Sequence, residues 1–188
     1  MQADFPVILD ACVLANVGAC DLYLRLAETP RLYLPRWSAT ILDEVKRTQT
    51  TKLKRTFPEA LADYWRQEMT AAFPEAMIEG FEHLLPVLTI NEKDRHVLAA
   101  AVQGGVSLIV TFNLKHFPET ALKTWNVQAL HPQDYLLTLY SMNPGVVLAK
   151  LADIATSHGQ EIQDVLIHLG KSLPSFSRRL LQDLGKSP

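Results

Sequence analysis

Residues 94–111 have the sequence DRHVLAAAVQGGVSLIVT, and this stretch decides the fold class. Its apolar spacing predicts a helix over residues 92–103, which the glycines at 104 and 105 end, followed by a buried strand over residues 107–111. A helix that leads into a buried strand is typical of parallel sheets, in which helices connect the strands. The stretch therefore indicates an α/β protein.

The rest of the chain extends this alternation of strands and helices. Further strands are predicted at residues 6–9, 32–34, 86–90 and 127–130. Further helices are predicted at residues 12–27, at 39–49 after the cap Ser38, at 58–72, at 74–84 and near Ala121, with only helices from about residue 132 onward. The alternation predicts a central parallel sheet covered on both faces. We expect one α/β domain over residues 1–140 and a helical C-terminal extension over residues 141–188.

The composition excludes several classes of protein. Of the 188 residues, 48% are hydrophobic and 20% are charged, which excludes a disordered or collagen-like chain. Because the formal net charge is −2, any contact with nucleic acid needs a local basic patch. Cys12 and Cys20 form neither a disulfide framework nor a zinc motif, and no secretory leader or bilayer-spanning run is evident. We therefore expect a cytoplasmic protein with no membrane contact.

Three acids lie where predicted elements begin or end. Asp10 directly follows the first strand, Asp94 shares a helix face with apolar residues, and Glu44 leans inward from the helix after Ser38. Each acid alone has an ordinary explanation, since the two aspartates suit helix capping and a lone glutamate is most often on the surface. Ligands of parallel sheets bind beyond the carboxyl ends of the strands, and acids gathered there repel one another unless a cation lies between them. The three together predict a site for Mg²⁺ or Mn²⁺.

Four segments carry a resemblance to a known family. They are ILDACVL at residues 8–14, WSATILDEV at 37–45, DRHVLAAA at 94–101 and IVTFNLKHFP at 109–118. In order and spacing they resemble the PIN-domain family, and within it the VapC-like toxins of toxin–antitoxin pairs, over about residues 5–140. The resemblance implies a three-layer α/β sandwich that hydrolyses RNA phosphodiester bonds with Mg²⁺ or Mn²⁺. It also implies a small antitoxin protein as partner and a homodimer.

The same resemblance implies roles for individual residues. Asp10, Glu44 and Asp94 would hold the metal ion, Asn113 would complete its shell, and Thr111 and Ser38 would support these residues. His116 stands where the family commonly has an aspartate, so a second metal ion would be held poorly. His116 would favour Mn²⁺, contact phosphate or act as a general acid. The alternative is a catalytically weakened PIN-like module that binds RNA or a protein partner without cleavage.

A run of basic residues follows Glu44 in the chain. It contains Lys46, Arg47, Lys52, Lys54 and Arg55, with no acid between them. Such a run is either a solvated helix face, where Asp43 would pair with Lys46 or Arg47, or a surface that holds a phosphate backbone without reading sequence. The nearby predicted metal site favours RNA binding by these five residues.

Overall fold

A computed structural model describes residues 4–53 and 56–186 of the chain. Four parallel strands form one sheet, namely β1 (Pro6–Leu9), β2 (Leu34–Arg36), β3 (Leu108–Val110) and β4 (Gln128–Leu130), in the order β2-β1-β3-β4. Ile8 of β1 lies opposite Arg36 of β2 and Ile109 of β3, so β1 and β3 are the central strands. The predicted parallel sheet is confirmed.

Helices cover both faces of this sheet. Successive side chains of a strand point to opposite faces, and Val7, Ile8 and Leu9 of β1 are all fully buried. The helices that precede β4 are α1 (Ala11–Leu14), α2 (Val17–Ala27), α3 (Ala39–Thr51), α4 (Glu59–Ala72), α5 (Arg95–Gln103) and α6 (Glu119–Leu122). The helix α5 packs against β1 and β3, whereas α2 packs against β2. The fold is therefore the expected three-layer α/β sandwich.

Polar caps at Ser38 and Asn16 fix where α3 and α2 begin. Ser38 caps α3 as predicted, because its hydroxyl accepts a hydrogen bond from the backbone N–H of Ile41 at 3.3 Å. The single helix predicted over residues 12–27 is wrong, since the chain breaks there into α1 and α2. Asn16 causes this break, because its side chain accepts from the backbone N–H of Ala19 at 3.2 Å and starts a new helix.

Residues 74–90 differ from the prediction. In place of a helix and a strand, this region forms two 3₁₀ turns at Pro74–Ala76 and Glu82–Val87. Gly80 has a φ of 73° and Pro86 lacks a backbone N–H, so neither suits a regular element here. The strand β2 also lies slightly later than predicted, at Leu34–Arg36. Because the strand predicted over residues 86–90 does not form, the strand before Thr111 is the third in the chain and not the fourth as predicted.

The C-terminal part is helical, as predicted. It contains α7 (Pro132–Met142), α8 (Pro144–His158), α9 (Ile162–Leu169) and α10 (Pro174–Asp183). The helices α8 and α9 pack against α2, and α10 packs against α7 and α9. The division of the chain at residue 140 stays a prediction. Within the described residues, no helix is both long and apolar enough to cross a bilayer.

Candidate active site

The ends of the two central strands bring Asp10 and Thr111 together. Asp10 follows β1 and its backbone N–H donates to the carbonyl of Val110 at 3.1 Å, which fixes it beside the end of β3. The Thr111 hydroxyl donates to Asp10 Oδ2 at 2.6 Å. Both residues are buried, with Asp10 5% and Thr111 0% exposed. This carboxylate is therefore held by the two most buried strands of the sheet.

Asp10 caps a helix and also lines a cleft. Its Oδ1 accepts from the backbone N–H of Ala11 at 2.7 Å, and Cys12 Sγ donates to its Oδ2 at 3.1 Å. Burial raises the pKa of Asp10 above its ordinary value, the bonds from Thr111, Cys12 and Ala11 lower it, and the nearby charge of Glu44 raises it. A positive charge in the cleft would favour the ionised form.

The cleft gathers the residues that the sequence singled out. Its volume is about 370 Å³. Its lining residues are Asp10, Ala11, Cys12, Glu44, Arg47, Thr48, Lys52, Asn91, Lys93, Asp94, Asn113 and His116. The acids come from the end of β1, from α3 and from the start of α5. The topology therefore brings three separate carboxylates to one opening, at the carboxyl ends of the central strands.

Glu44 has a different partner on each carboxylate oxygen. Arg47 Nη2 lies 2.7 Å from Oε1, and His96 Nε2 lies 3.4 Å from Oε2. The second distance is long for a hydrogen bond, so we describe it as an electrostatic contact. The interaction with His96 lowers the pKa of Glu44, partial burial opposes this, and the charges of Arg47 and Lys52 lower it further. Glu44 is therefore poised as a carboxylate.

Asp94 lies where a 3₁₀ turn, Glu92–Asp94, passes into α5. The turn is capped by Asn91, whose side chain accepts from the backbone N–H of Lys93 at 3.0 Å, and the Asp94 side chain makes no capping bond. It contacts His116 instead, with 3.3 Å between Oδ1 and Nδ1. The structure thus places His116 beside one of the three acids, and Asp94 is not used as a cap.

Thr111 also orients the backbone that carries Asn113. Its hydroxyl accepts from the Asn113 backbone N–H at 3.0 Å while it donates to Asp10. Cys12 adds a second link, because its sulfur accepts from the backbone N–H of Phe112 at 3.3 Å. The sequence analysis considered Cys12 only for a disulfide or a zinc motif and missed this link. Its position two residues after Asp10, at the end of a strand, was the available signal.

The basic run is divided by the fold. Arg47 and Lys52 line the cleft, and Lys54 and Arg55 lie outside the described residues. Lys46 is not a lining residue, because it pairs with two acids of α4, Glu59 at 3.2 Å and Asp63 at 2.7 Å. The RNA-binding role predicted for Lys46 therefore has no support in the geometry.

One further expectation about this region is wrong, and one residue was missed. Asp43 pairs with Arg66 of α4 rather than with Lys46 or Arg47. Lys93, which the sequence analysis missed, also lines the cleft. Its place next to Asp94 in the chain was the signal that could have found it. The cations at the cleft are therefore Arg47, Lys52 and Lys93 within the described part of the chain.

The donor set suits Mg²⁺ or Mn²⁺. Three carboxylates and the Asn113 amide line one cleft, and oxygen donors of this kind are what these ions prefer. Burial is the main cause of the raised pKa of Asp10, and the charge of Glu44 raises it further. As placed, no three His, Cys, Asp or Glu side chains of residues 4–53 and 56–186 converge as a ready ion site. Glu44 and Asp94 would have to exchange their present partners for the ion.

Comparison with known proteins adds one relative. The chain is 36% identical over 132 residues to "Putative ribonuclease VapC50" of Mycobacterium tuberculosis (strain ATCC 25618 / H37Rv). The match covers 67% of this chain and 78% of that protein. No family model and no solved structure matches the chain. This similarity agrees with the parallel sheet and with the acids near its carboxyl edge. Because of its identity and coverage, the chain belongs to the VapC-like PIN-domain family.

Proposed function

We propose that the protein is a metal-dependent endoribonuclease that hydrolyses RNA phosphodiester bonds. The observation that carries this proposal is the cleft whose lining contains the three acids Asp10, Glu44 and Asp94 together with three cations. Carboxylates that hold a divalent ion beside a phosphate-binding rim are the parts that metal-assisted phosphodiester hydrolysis needs. The relative named as a ribonuclease supports the same chemistry.

In this proposal the three acids have a common task. Asp10, Glu44 and Asp94 would hold Mg²⁺ or Mn²⁺, and Asn113 would add its amide oxygen. When bound, the ion lowers the pKa of water and neutralises charge that develops on the phosphate. Thr111 and Cys12 hold the Asp10 carboxylate in one orientation through bonds of 2.6 and 3.1 Å to Oδ2. Ser38 supports Glu44 by starting the helix on which it lies.

His116 is proposed to act on the substrate rather than to replace a missing acid. Its Nδ1 faces Asp94 at 3.3 Å, which leaves Nε2 for a phosphate oxygen or for proton transfer to the leaving group. An imidazole is also a softer ligand than a carboxylate, so a direct contact with the ion would favour Mn²⁺ over Mg²⁺.

The cations at the cleft are proposed to hold the RNA backbone. A second groove of about 470 Å³ adjoins the cleft and shares Glu44, Arg47, Lys52 and Lys93 with it. Its lining contains these three basic side chains, the two acids Asp43 and Glu44, and His96. Contacts of this kind bind phosphates without reading the bases.

We also propose that the protein acts in the cytoplasm as a growth-arresting toxin neutralised by a small antitoxin. Membership of the VapC-like family supports this role, and two free thiols suit a reducing compartment. A homodimer is part of the same proposal. Co-purification of a small protein encoded next to this chain would support it, and growth unaffected by induced expression would contradict it.

A second candidate is a module that binds RNA or a protein partner without cutting. The observation that favours it is that the carboxylates are already paired, Glu44 with Arg47 and Asp94 with His116. It predicts that changing these acids to amides leaves binding intact.

Cleavage of a mixed RNA pool distinguishes the two candidates. Purified protein would be incubated with Mn²⁺, with Mg²⁺ and with EDTA, and the Asp94→Asn variant would serve as the matched control. The nuclease proposal expects cleavage that requires the metal and is lost in the variant. Metal-independent cutting, or equal cutting by the variant, would contradict the site. Binding without cutting, by both folded proteins, would favour the second candidate.

A further inference from the structure

His96 is a buried histidine with no task in the proposed reaction. It lies on α5, two residues after Asp94, and is only 9% exposed. Its Nε2 atom is buried and has no hydrogen-bond partner of good geometry among the described residues. A buried polar atom without a partner is costly, so its position needs an explanation. The nearest candidate is Glu44, whose Oε2 lies 3.4 Å away.

The two oxygens of Glu44 have unequal surroundings. Oε1 faces Arg47, whose side chain is 59% exposed, so this pair is weak and readily exchanged. Oε2 faces His96, whose side chain is 11% exposed, so that contact lies away from water. If Glu44 releases Arg47 to bind an ion, Oε1 becomes free while Oε2 remains beside the imidazole.

We infer that His96 is a positioning residue for Glu44. The Nε2–H of His96 donates to Oε2 of Glu44, and Oε1 of Glu44 is left for the metal ion. The inference rests on the proposed metal-dependent function. In this inference α5 has two roles. Asp94 lies at its start, and His96 within it orients Glu44 of the neighbouring α3. Partners of metal-binding carboxylates commonly change metal affinity by 10- to 100-fold when they are removed.

Packing is the competing explanation for His96. A histidine between α3 and α5 also fills space, and a variant that keeps its volume but not its donor separates the two roles. His96→Leu removes the N–H and keeps a side chain of similar volume, whereas His96→Gln keeps an N–H within reach of Glu44. The matched control is His83→Gln, since His83 is exposed and, among the described residues, its ring contacts the carbonyl of Gly80.

The main experiment is calorimetric titration of Mn²⁺ into the metal-free proteins. We expect His96→Leu to weaken Mn²⁺ binding by about tenfold or more, His96→Gln to restore most of the affinity, and His83→Gln to bind like the parent. Unchanged Mn²⁺ affinity in folded His96→Leu would overturn the inference and leave the proposed function standing. No Mn²⁺ binding by the parent would overturn both.

A second measurement needs no variant and so does not depend on the folding of His96→Leu. Ring nitrogen chemical shifts of His96 in the unmodified protein report which nitrogen carries the hydrogen. The inference requires hydrogen on Nε2. A neutral ring with hydrogen only on Nδ1 would overturn it.

Discussion

At the residue scale, Asp10 shows how one side chain serves both the fold and the site. It ends β1, caps α1 and accepts bonds from Thr111 and Cys12. The same carboxylate is buried and close to Glu44, so its ionisation without a cation is unfavourable. We therefore expect Asp10 to cost stability in the metal-free protein, which is common at functional sites.

The first prediction concerns the stability of the metal-free protein. The ordinary pKa of Asp10 is 3.8 and burial raises it in the folded chain, so the unfolded chain loses this proton first as the pH rises. Stability then falls with rising pH from about 3.8 up to the folded pKa, and the penalty persists at neutral pH. Asp10→Asn should therefore raise the Tm in EDTA at pH 7.5 by about 2–4 °C, as ~1 kcal/mol does in a chain of this size.

The matched control for Asp10→Asn is Asp153→Asn, because Asp153 is exposed on α8. Thermal denaturation with added Mn²⁺ completes the comparison. The parent and Asp153→Asn should gain stability from Mn²⁺, and Asp10→Asn should gain almost none. If Asp10→Asn has a lower Tm than the parent in EDTA, the hydrogen bonds of the Asp10 carboxylate outweigh the cost of burying its charge.

At the element scale, the helix α3 separates two groups of cations. Lys46 faces α4 and pairs with Glu59 and Asp63, whereas Arg47, the next residue, faces the cleft. Adjacent residues of a helix point about 100° apart, so a basic run on a helix cannot present all its charges to one ligand. This division could not be predicted without knowing which face packs against α4.

The second prediction uses this pair of neighbours. Arg47→Gln should raise the KM for RNA several-fold and reduce the salt dependence of binding, because one phosphate contact is lost. Lys46→Gln should leave the KM unchanged, since its partners lie on α4. Binding of a labelled RNA at several salt concentrations measures both effects. Equal losses in the two variants would indicate a general charge effect and not a defined contact.

The third prediction concerns the start of α3. Ser38 is fully buried and its hydroxyl caps the helix that carries Glu44. Ser38→Ala should lower stability by about 1 kcal/mol, and Ser38→Thr, which keeps the cap, should lower it less. Urea denaturation measures the difference. A Ser38→Ala protein as stable as the parent would show that the cap contributes little here.

At the scale of the whole molecule, the C-terminal helices share one hydrophobic core with the sheet. The ring of Tyr135 on α7 packs against Tyr23 and Tyr33, with ring centroids 6.3 and 5.7 Å away. Leu151, Leu166 and Phe176 of the later helices are fully buried in the same core. The helices after β4 therefore contribute to the stability of the part that holds the cleft.

The fourth prediction follows from this shared core. Deletion of residues 143–188 would expose apolar surface of α2 and α7, so we expect loss of cooperative thermal unfolding and aggregation of the shortened chain. Deletion of residues 185–188 is the control, because it leaves α10 (Pro174–Asp183) intact. A shortened chain that unfolds cooperatively would support an independent domain over residues 1–140.

The sequence by itself determined the class of fold and the acids of the candidate site. Buried strands such as PVIL and LIV, separated by helices, are local patterns, and an acid directly after such a strand must lie at its carboxyl end. The helix predicted over residues 12–27 and the elements predicted over residues 74–90 are wrong. In the second region, short apolar runs suit a strand, a helix or 3₁₀ turns equally well. The secondary structure of such runs depends on the residues that pack against them in the folded chain.

Only the tertiary structure decided which side chains meet. The contacts of Glu44 with His96 and of Asp94 with His116 join residues on different elements, and the pairing of Lys46 with α4 removes one cation from the cleft. These contacts depend on how α3, α4 and α5 are rotated and packed, which side-chain periodicity alone does not specify. Asp10 is identified by where β1 ends, which is a property of the local chain. The partners of the three acids are set by how the helices pack, which is a property of the whole core.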